Sequence, residues 1–137
     1  MSSTSNNKNI LEAFNAHFID FISDVQRIFP DEEQLLRAKN TVISVSKLDP
    51  QTLIIVWKFY VIGKYETHIL AGDIDFFVNK DYTDELKNLG KNTEKTDKII
   101  QTINNLRSKI KNMSDSNKEK TIIYMQNLTK LSLMYKD

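Results

Sequence analysis

Asp73 and Asp75, set one residue apart, are the side chains in this sequence best placed to do chemistry. They lie in AGDIDFFVNKDY, residues 71–82, with Gly72 before them and Phe76 and Phe77 after. Residues two apart on a strand face the same side, so both carboxylates would clamp one pair of divalent cations. On a helix the same two side chains diverge by about 200° and cannot share a metal. Other candidates are sparser. His17 and His68 are the only histidines, and neither has a carboxylate at a familiar ligand spacing. His68 is expected as a satisfied histidine inside or at the boundary of a core. Trp57, Tyr60 and Tyr65 could stack on a ligand, but aromatics on a helix stripe more commonly fill a core. No serine has a histidine or lysine arrangement that would activate it. With no cysteine there is no disulfide, thiolate metal site or thiol nucleophile.

Asp73-Ile74-Asp75-Phe76-Phe77-Val78 resembles half of the metal-binding motif of polymerase-β-like nucleotidyltransferases. There a strand-borne aspartate pair binds two cations at a nucleoside triphosphate, and an upstream Gly-Ser turn holds the phosphates. The other half departs: Lys64 follows Gly63 where that family has serine, and no later apolar strand offers a third carboxylate. A calcium-binding EF-hand loop fits no better. With Asp73 and Asp75 at positions one and three, Phe77 falls at five, Val78 replaces the turn glycine and Asp84 falls at twelve. The local pattern has a plainer reading. Gly72 supplies the left-handed end of one helix, and Asp73 caps a short turn over 73–78. Phe76 and Phe77 then drop into the core, Asn79-Lys80 turns, and Asp81 caps the next helix. No catalytic, cofactor-binding or metal-binding residue is expected.

The surrounding sequence predicts helices. After a disordered polar lead over 1–7, Leu11, Phe14, Phe18, Phe21 or Ile22, Val25 and Ile28 recur at helical steps until Pro30. Asp31 with Gln34 reads as a capping box for a helix carrying Leu35, Ala38, Val42 and Val45 to about Leu48. Asp49-Pro50, an aspartate cap before a first-turn proline, opens a third helix. Its stripe is Leu53, Trp57, Tyr60 or Val61, Tyr65 and Ile69. The β-branched run Ile54-Ile55-Val56 is the one place where a strand competes. A short helix over 81–89 ends at Gly90, and Lys91-Asn92 links to a helix from Thr93 carrying Ile99, Ile103, Leu106, Ile110 and Met113. Ser116 to Glu119 reads as another capping box, before a last helix with Tyr124, Leu128, Leu131 and Tyr135 in line. The expected fold is all-α, an irregular single-domain bundle over 8–137 of about five helices plus the turn at 73–78.

Composition agrees. The 137 residues suffice for one domain with a sizeable core, and 40% hydrophobic and 27% charged residues are ordinary globular values. Three glycines and two prolines are too few for a turn-rich sheet fold. The N-terminus lacks the pattern of a secretory signal, and no apolar run approaches a membrane span of ~20 residues. A net charge of +1 conceals an asymmetry. Residues 1–90 carry 9 basic and 13 acidic side chains, a net of −4, and residues 91–137 carry 10 and 5, a net of +5. Two oppositely charged helix surfaces within one fold account for this. The alternative is a basic 91–137 face for nucleic acid.

Several segments together resemble small helical proteins encoded by the large nucleocytoplasmic DNA viruses of algae and protists. They are the Phe18-to-Pro30 helix end, the Asp49-Pro50 start, Trp57-Lys58-Phe59-Tyr60-Val61, the stretch from Gly72 to Tyr82, and Met125-Gln126-Asn127-Leu128-Thr129-Lys130-Leu131-Ser132. The resemblance carries no assigned catalytic residues. It implies the cytoplasm of an infected host cell, or the virion, as the setting. The expectation is a non-enzymatic protein-interaction or structural module without cofactor, binding a protein partner or itself and no membrane. Nucleic-acid association through 91–137 is the alternative, and a divergent metal-dependent nucleotidyltransferase using Asp73 and Asp75 a more distant one.

Overall fold

A computed structural model describes residues 3–80 and 93–136. Every regular element among them is helical: α1 (Ser3–Ile28), α2 (Glu33–Leu48), α3 (Thr52–Val56), a π-helical segment (Trp57–Ile62), α4 (Gly63–Leu70), α5 (Ile74–Asn79), α6 (Glu94–Lys111) and α7 (Asp115–Met134). The expected all-α bundle is the observed one. The helix and linker expected over 81–92 lie outside the described residues.

Phe14, Phe18, Phe21, Ile22 and Val25 form the buried stripe of α1, which packs on α2 and α7. The helix extends back to Ser3, ahead of the start expected after residue 7. Asn7 anchors this stretch to the other end of the chain, its Oδ1 accepting from the Lys136 amide at 3.0 Å. The α1–α2 turn also differs from expectation. Glu32 occupies the cap position of α2 without a side-chain cap bond, so Asp31 and Gln34 form no capping box. The Glu32 carboxylate instead meets Lys109 on α6 at 3.0 Å. Leu35, Ala38, Val42 and Val45 are buried as their spacing predicts.

Residues 52–70 form one rod with the π segment in its middle. The stripe explains why. Leu53, Trp57, Val61, Tyr65 and Ile69 are each four residues apart, and all are buried. On an ideal α-helix every four-residue step overshoots a full turn by about 40°. Across four steps the stripe would wrap far round the rod and bring its last members to the surface. The wider i→i+5 turn of a π segment takes up that drift. Tertiary burial outweighs the strand preference of Ile54-Ile55-Val56. Pro50 and Gln51 form a turn, and the Asp49 carbonyl accepts from the Thr52 amide at 3.1 Å.

Gly72 ends the rod at φ +84°. Its amide reaches the Ile69 carbonyl at 3.0 Å, and the Asp73 amide reaches the His68 carbonyl at 2.8 Å, the two bonds of a Schellman motif. Thr93 caps α6 through the Thr96 amide at 3.2 Å. Ile99, Ile103, Leu106, Ile110 and Met113 are buried as predicted, against α1, α2, α3 and α5. The cap of α7 is Ser114, accepting from the Asn117 amide at 3.2 Å, two residues before the expected Ser116. Its buried face is also turned from the expected line. Thr121, Met125, Leu128 and Ser132 lie inside, while Tyr124, Leu131 and Tyr135 are partly buried. The inward hydroxyls have partners: Thr129 accepts from the Trp57 indole at 3.1 Å, and Ser132 donates to the Thr129 carbonyl at 2.8 Å.

Candidate functional site

The two aspartates diverge. Asp73 precedes α5 and its Oδ1 accepts from the Phe76 amide at 3.2 Å, while Oδ2 lies 3.4 Å from His68 Nδ1. Asp75, in the first turn of α5, faces Lys118 of α7 at 3.3 Å. The strand needed by a nucleotidyltransferase reading is not formed, since 52–70 and 74–79 are helical. Among the described residues no group of three or more His, Asp or Glu side chains is placed to hold a metal ion. Asp73 and Asp75 are helix-end groups here.

The surrounding side chains form a graded cluster from surface to core. Phe77 is buried as expected, but Phe76 stays 37% exposed. It stacks on His68 with ring centroids 3.6 Å apart and planes 9° from parallel. Lys80 Nζ lies 5.7 Å from the Tyr65 ring centroid and 5.9 Å from that of Phe76. Deeper in, Arg107 of α6 is fully buried. Its guanidinium donates to the Phe77 carbonyl from Nε and Nη2, both at 3.1 Å, to Asn104 Oδ1 at 3.2 Å and to the Tyr65 hydroxyl. The Tyr60 hydroxyl donates to the same Asn104 oxygen at 3.3 Å. Arg107 also lies between two rings, its Cζ 4.5 Å from the Phe77 centroid and 4.9 Å from that of Tyr65. The Phe77 carbonyl belongs to the last turn of α5, where intrahelical donors run out. Arg107 supplies them and joins α4, α5 and α6.

Tyr60 and Tyr65 thus serve the core, as does Trp57. His68 lies at the boundary with Asp73 as its partner. His17 is half-buried against the Tyr124 ring at 5.0 Å, and its Nε2 is buried without a hydrogen-bond partner. Beside it, a cleft of about 240 Å³ between α1 and α7 is lined by Phe21, Asp24, Arg27, Lys120 and Tyr124 among others. The Tyr124 hydroxyl donates to Asp24, which also pairs with Arg27. That bond, then burial and the charges of Asp24 and Asp20, push the Tyr124 phenol up to about 12, against a smaller lowering by Arg27.

The charge asymmetry resolves into contacts between elements. Lys109 meets Glu32 at 3.0 Å, Lys118 meets Asp75 at 3.3 Å and Lys95 approaches Asp49 at 4.0 Å. Each pair joins the basic C-terminal half to the acidic N-terminal half.

Sequence reasoning missed Arg107. One signal was present: it falls four residues after Ile103 and three before Ile110, on the apolar stripe itself. The fold and this cluster define an all-α bundle organised round a buried arginine. Comparison with protein-family models, curated proteins and solved structures finds no match. Among the described residues no helix is long and apolar enough to cross a membrane.

Proposed function

We propose that this chain is a non-enzymatic protein-interaction or structural module, working in the cytoplasm of an infected host cell or within the virion. The observation that carries this reading is the exposure of large apolar side chains on the π segment and at the end of α7. Phe59 is 74% exposed on the π segment, with Ile55 partly bare one turn before it. Leu133 and Met134, 50% and 58% exposed, end α7. Lys58 Nζ donates to the Tyr135 carbonyl at 2.9 Å, which brings that helix end beside the π segment. A π segment is rare and recurs at functional positions. Large apolar side chains left in water on two neighbouring elements suit a protein partner or a second copy. The internal pairing of Lys95, Lys109 and Lys118 supports a protein partner over nucleic acid, because those charges already face carboxylates.

The test compares the wild-type chain with Phe59→Asp. Light scattering reads self-association, and affinity capture from infected cells reads a partner. A self-association constant or a captured partner weakened at least tenfold in the variant is expected. Two monomers that capture the same proteins equally, with no incorporation into particles, would overturn the reading.

A further inference from the structure

Helix α7 carries large apolar side chains on two sides. Ile122, Met125 and Leu128 are buried in the bundle, whereas Ile123, Leu133 and Met134 are each at least half exposed. A helix apolar on more than one side is ordinarily covered on more than one side. At about 100° per residue, Ile123, Asn127, Lys130 and Met134 fall within about 60° of one another. All four are exposed, on the side opposite the buried Met125 and Ser132, and Leu133 flanks them. The side chains of Asn127 and Lys130 have no hydrogen-bond or ion-pair partner among the described residues. Charge is also polarised along the helix. Apart from Lys118, held by Asp75, its start exposes Asp115, Glu119 and Lys120, a net of −1. Lys130 and Lys136, at and just after its end, give a net of +2.

We propose that this face of α7 docks on the same face of a second copy, with the two helices antiparallel about a two-fold axis level with Leu128 and Thr129. The pairing rests on the interaction reading above and names its partner as the chain itself. In this register Ile123 packs on Met134 of the second copy, and the Lys130 ammonium donates to the Asn127 side-chain oxygen of the second copy. Two-fold symmetry makes each contact occur twice. Antiparallel packing brings the acidic start of one helix to the basic end of the other and sets their macrodipoles in opposition, which is favourable. Parallel packing would set Lys130 against Lys130. The stripe from Ile123 to Met134 is about 17 Å long. Such a pair buries less than the ~800 Å² per partner of a standard interface, so the dimer is a weak one.

Sedimentation equilibrium of the full chain should show monomer and dimer exchanging at micromolar to millimolar concentration. Ile123→Glu, an exposed change to a good helix former, should weaken the dimer at least tenfold. Asn127→Glu should tighten it at least threefold at low salt, because the new carboxylate meets Lys130 of the second copy in two places. Register can be read directly, since the chain has no cysteine of its own. Asn127→Cys mixed with Lys130→Cys should oxidise to the mixed disulfide above its statistical share. A chain monomeric at about 1 mM would overturn the pairing. So would a dimer that Ile123→Glu leaves unchanged, or a preference for the two homodisulfides. Phe59 is intact in every variant, so a partner captured through Phe59 would survive the failure of this pairing.

Discussion

Truncating Arg107 to alanine would remove the hydrogen bonds to the Phe77 carbonyl, Asn104 and Tyr65 together, and open a void between two rings. Hydrogen bonds to a charged group contribute roughly 1.5–3 kcal/mol each, without simple additivity. Arg107→Ala should therefore cost about 3 kcal/mol or more in urea denaturation, and a loss below ~1 kcal/mol would refute the keystone role. Arg107→Lys should rescue little, because one ammonium cannot reproduce a planar fork with donors on several sides. Tyr124 makes a prediction of a different kind. The fold favours its protonated phenol, whose pKa is raised to about 12 from an ordinary value near 10. Its contribution is thus complete below pH ~10 and disappears as pH rises through about 12. Wild type should lose stability over that window relative to Tyr124→Phe, in denaturation at constant ionic strength. Parallel curves would mean that the Asp24 bond does not form in solution. At this scale the sequence was unevenly legible. Asp73 was readable as a cap because its partner, the Phe76 amide, lies three residues away. Arg107 was not, because its acceptor is a backbone carbonyl thirty residues distant, which no local pattern contains.

Two glycines in and after the rod separate backbone need from backbone permissiveness. Gly72 sits at φ +84°, where an L side chain is strained, and completes the Schellman motif that turns the chain toward α5. Gly63 has the helical angles φ −54° and ψ −27°, and a Cβ built there meets nothing within 4 Å. Gly63→Ala should raise stability by about 0.5–1 kcal/mol through helix propensity and reduced unfolded-state freedom. Gly72→Ala should lower it by roughly 1–2 kcal/mol. Thermal melts of the two variants should move in opposite directions. A melt raised by Gly72→Ala would contradict the turn geometry. Helix spacing was the most legible property of this chain, since the stripes of α2 and α6 and that of α1 from Phe14 to Val25 are buried as read, with Leu11 and Ile28 partly buried at its two ends. The π segment was present in the data as an unbroken four-residue repeat, but a helix template of 3.6 absorbs one such step without protest. The caps of α2 and α7 were misplaced because Asp, Ser and Glu crowd both starts, and the backbone selects among them by contacts from elsewhere. Glu32, for example, is held by Lys109. The inner face of α7 was misread because Thr121, Thr129 and Ser132 look solvent-facing until Trp57 and Met113 appear opposite them.

At the scale of the whole molecule, the opposite charges of the two halves act as a fastening between helices. Lys109–Glu32 and Lys95–Asp49 clasp α6 to the two ends of α2, and the order of the contacts makes those helices antiparallel. Lys118–Asp75 ties α7 to α5. Each pair keeps one or both side chains substantially in water, so each contributes only about 0.2–1 kcal/mol and is weakened by salt. Their number and placement matter more than their individual strength, because they favour one assembly of the helices over alternatives of similar apolar burial. Lys109 is the member to test, with 20% of its side chain exposed. Lys109→Glu alone should destabilise by about 1 kcal/mol, as two carboxylates then face each other, and Glu32→Lys alone by a similar amount. Combined, the exchanged pair should recover most of the loss, giving a coupling of about 0.5–1 kcal/mol in a double-mutant cycle at low salt and a smaller one at 1 M salt. Strict additivity at low salt would mean that these contacts fasten nothing. The basic 91–137 surface would then have its charge free for an outside partner, and the balance between the protein and nucleic-acid readings would shift toward nucleic acid.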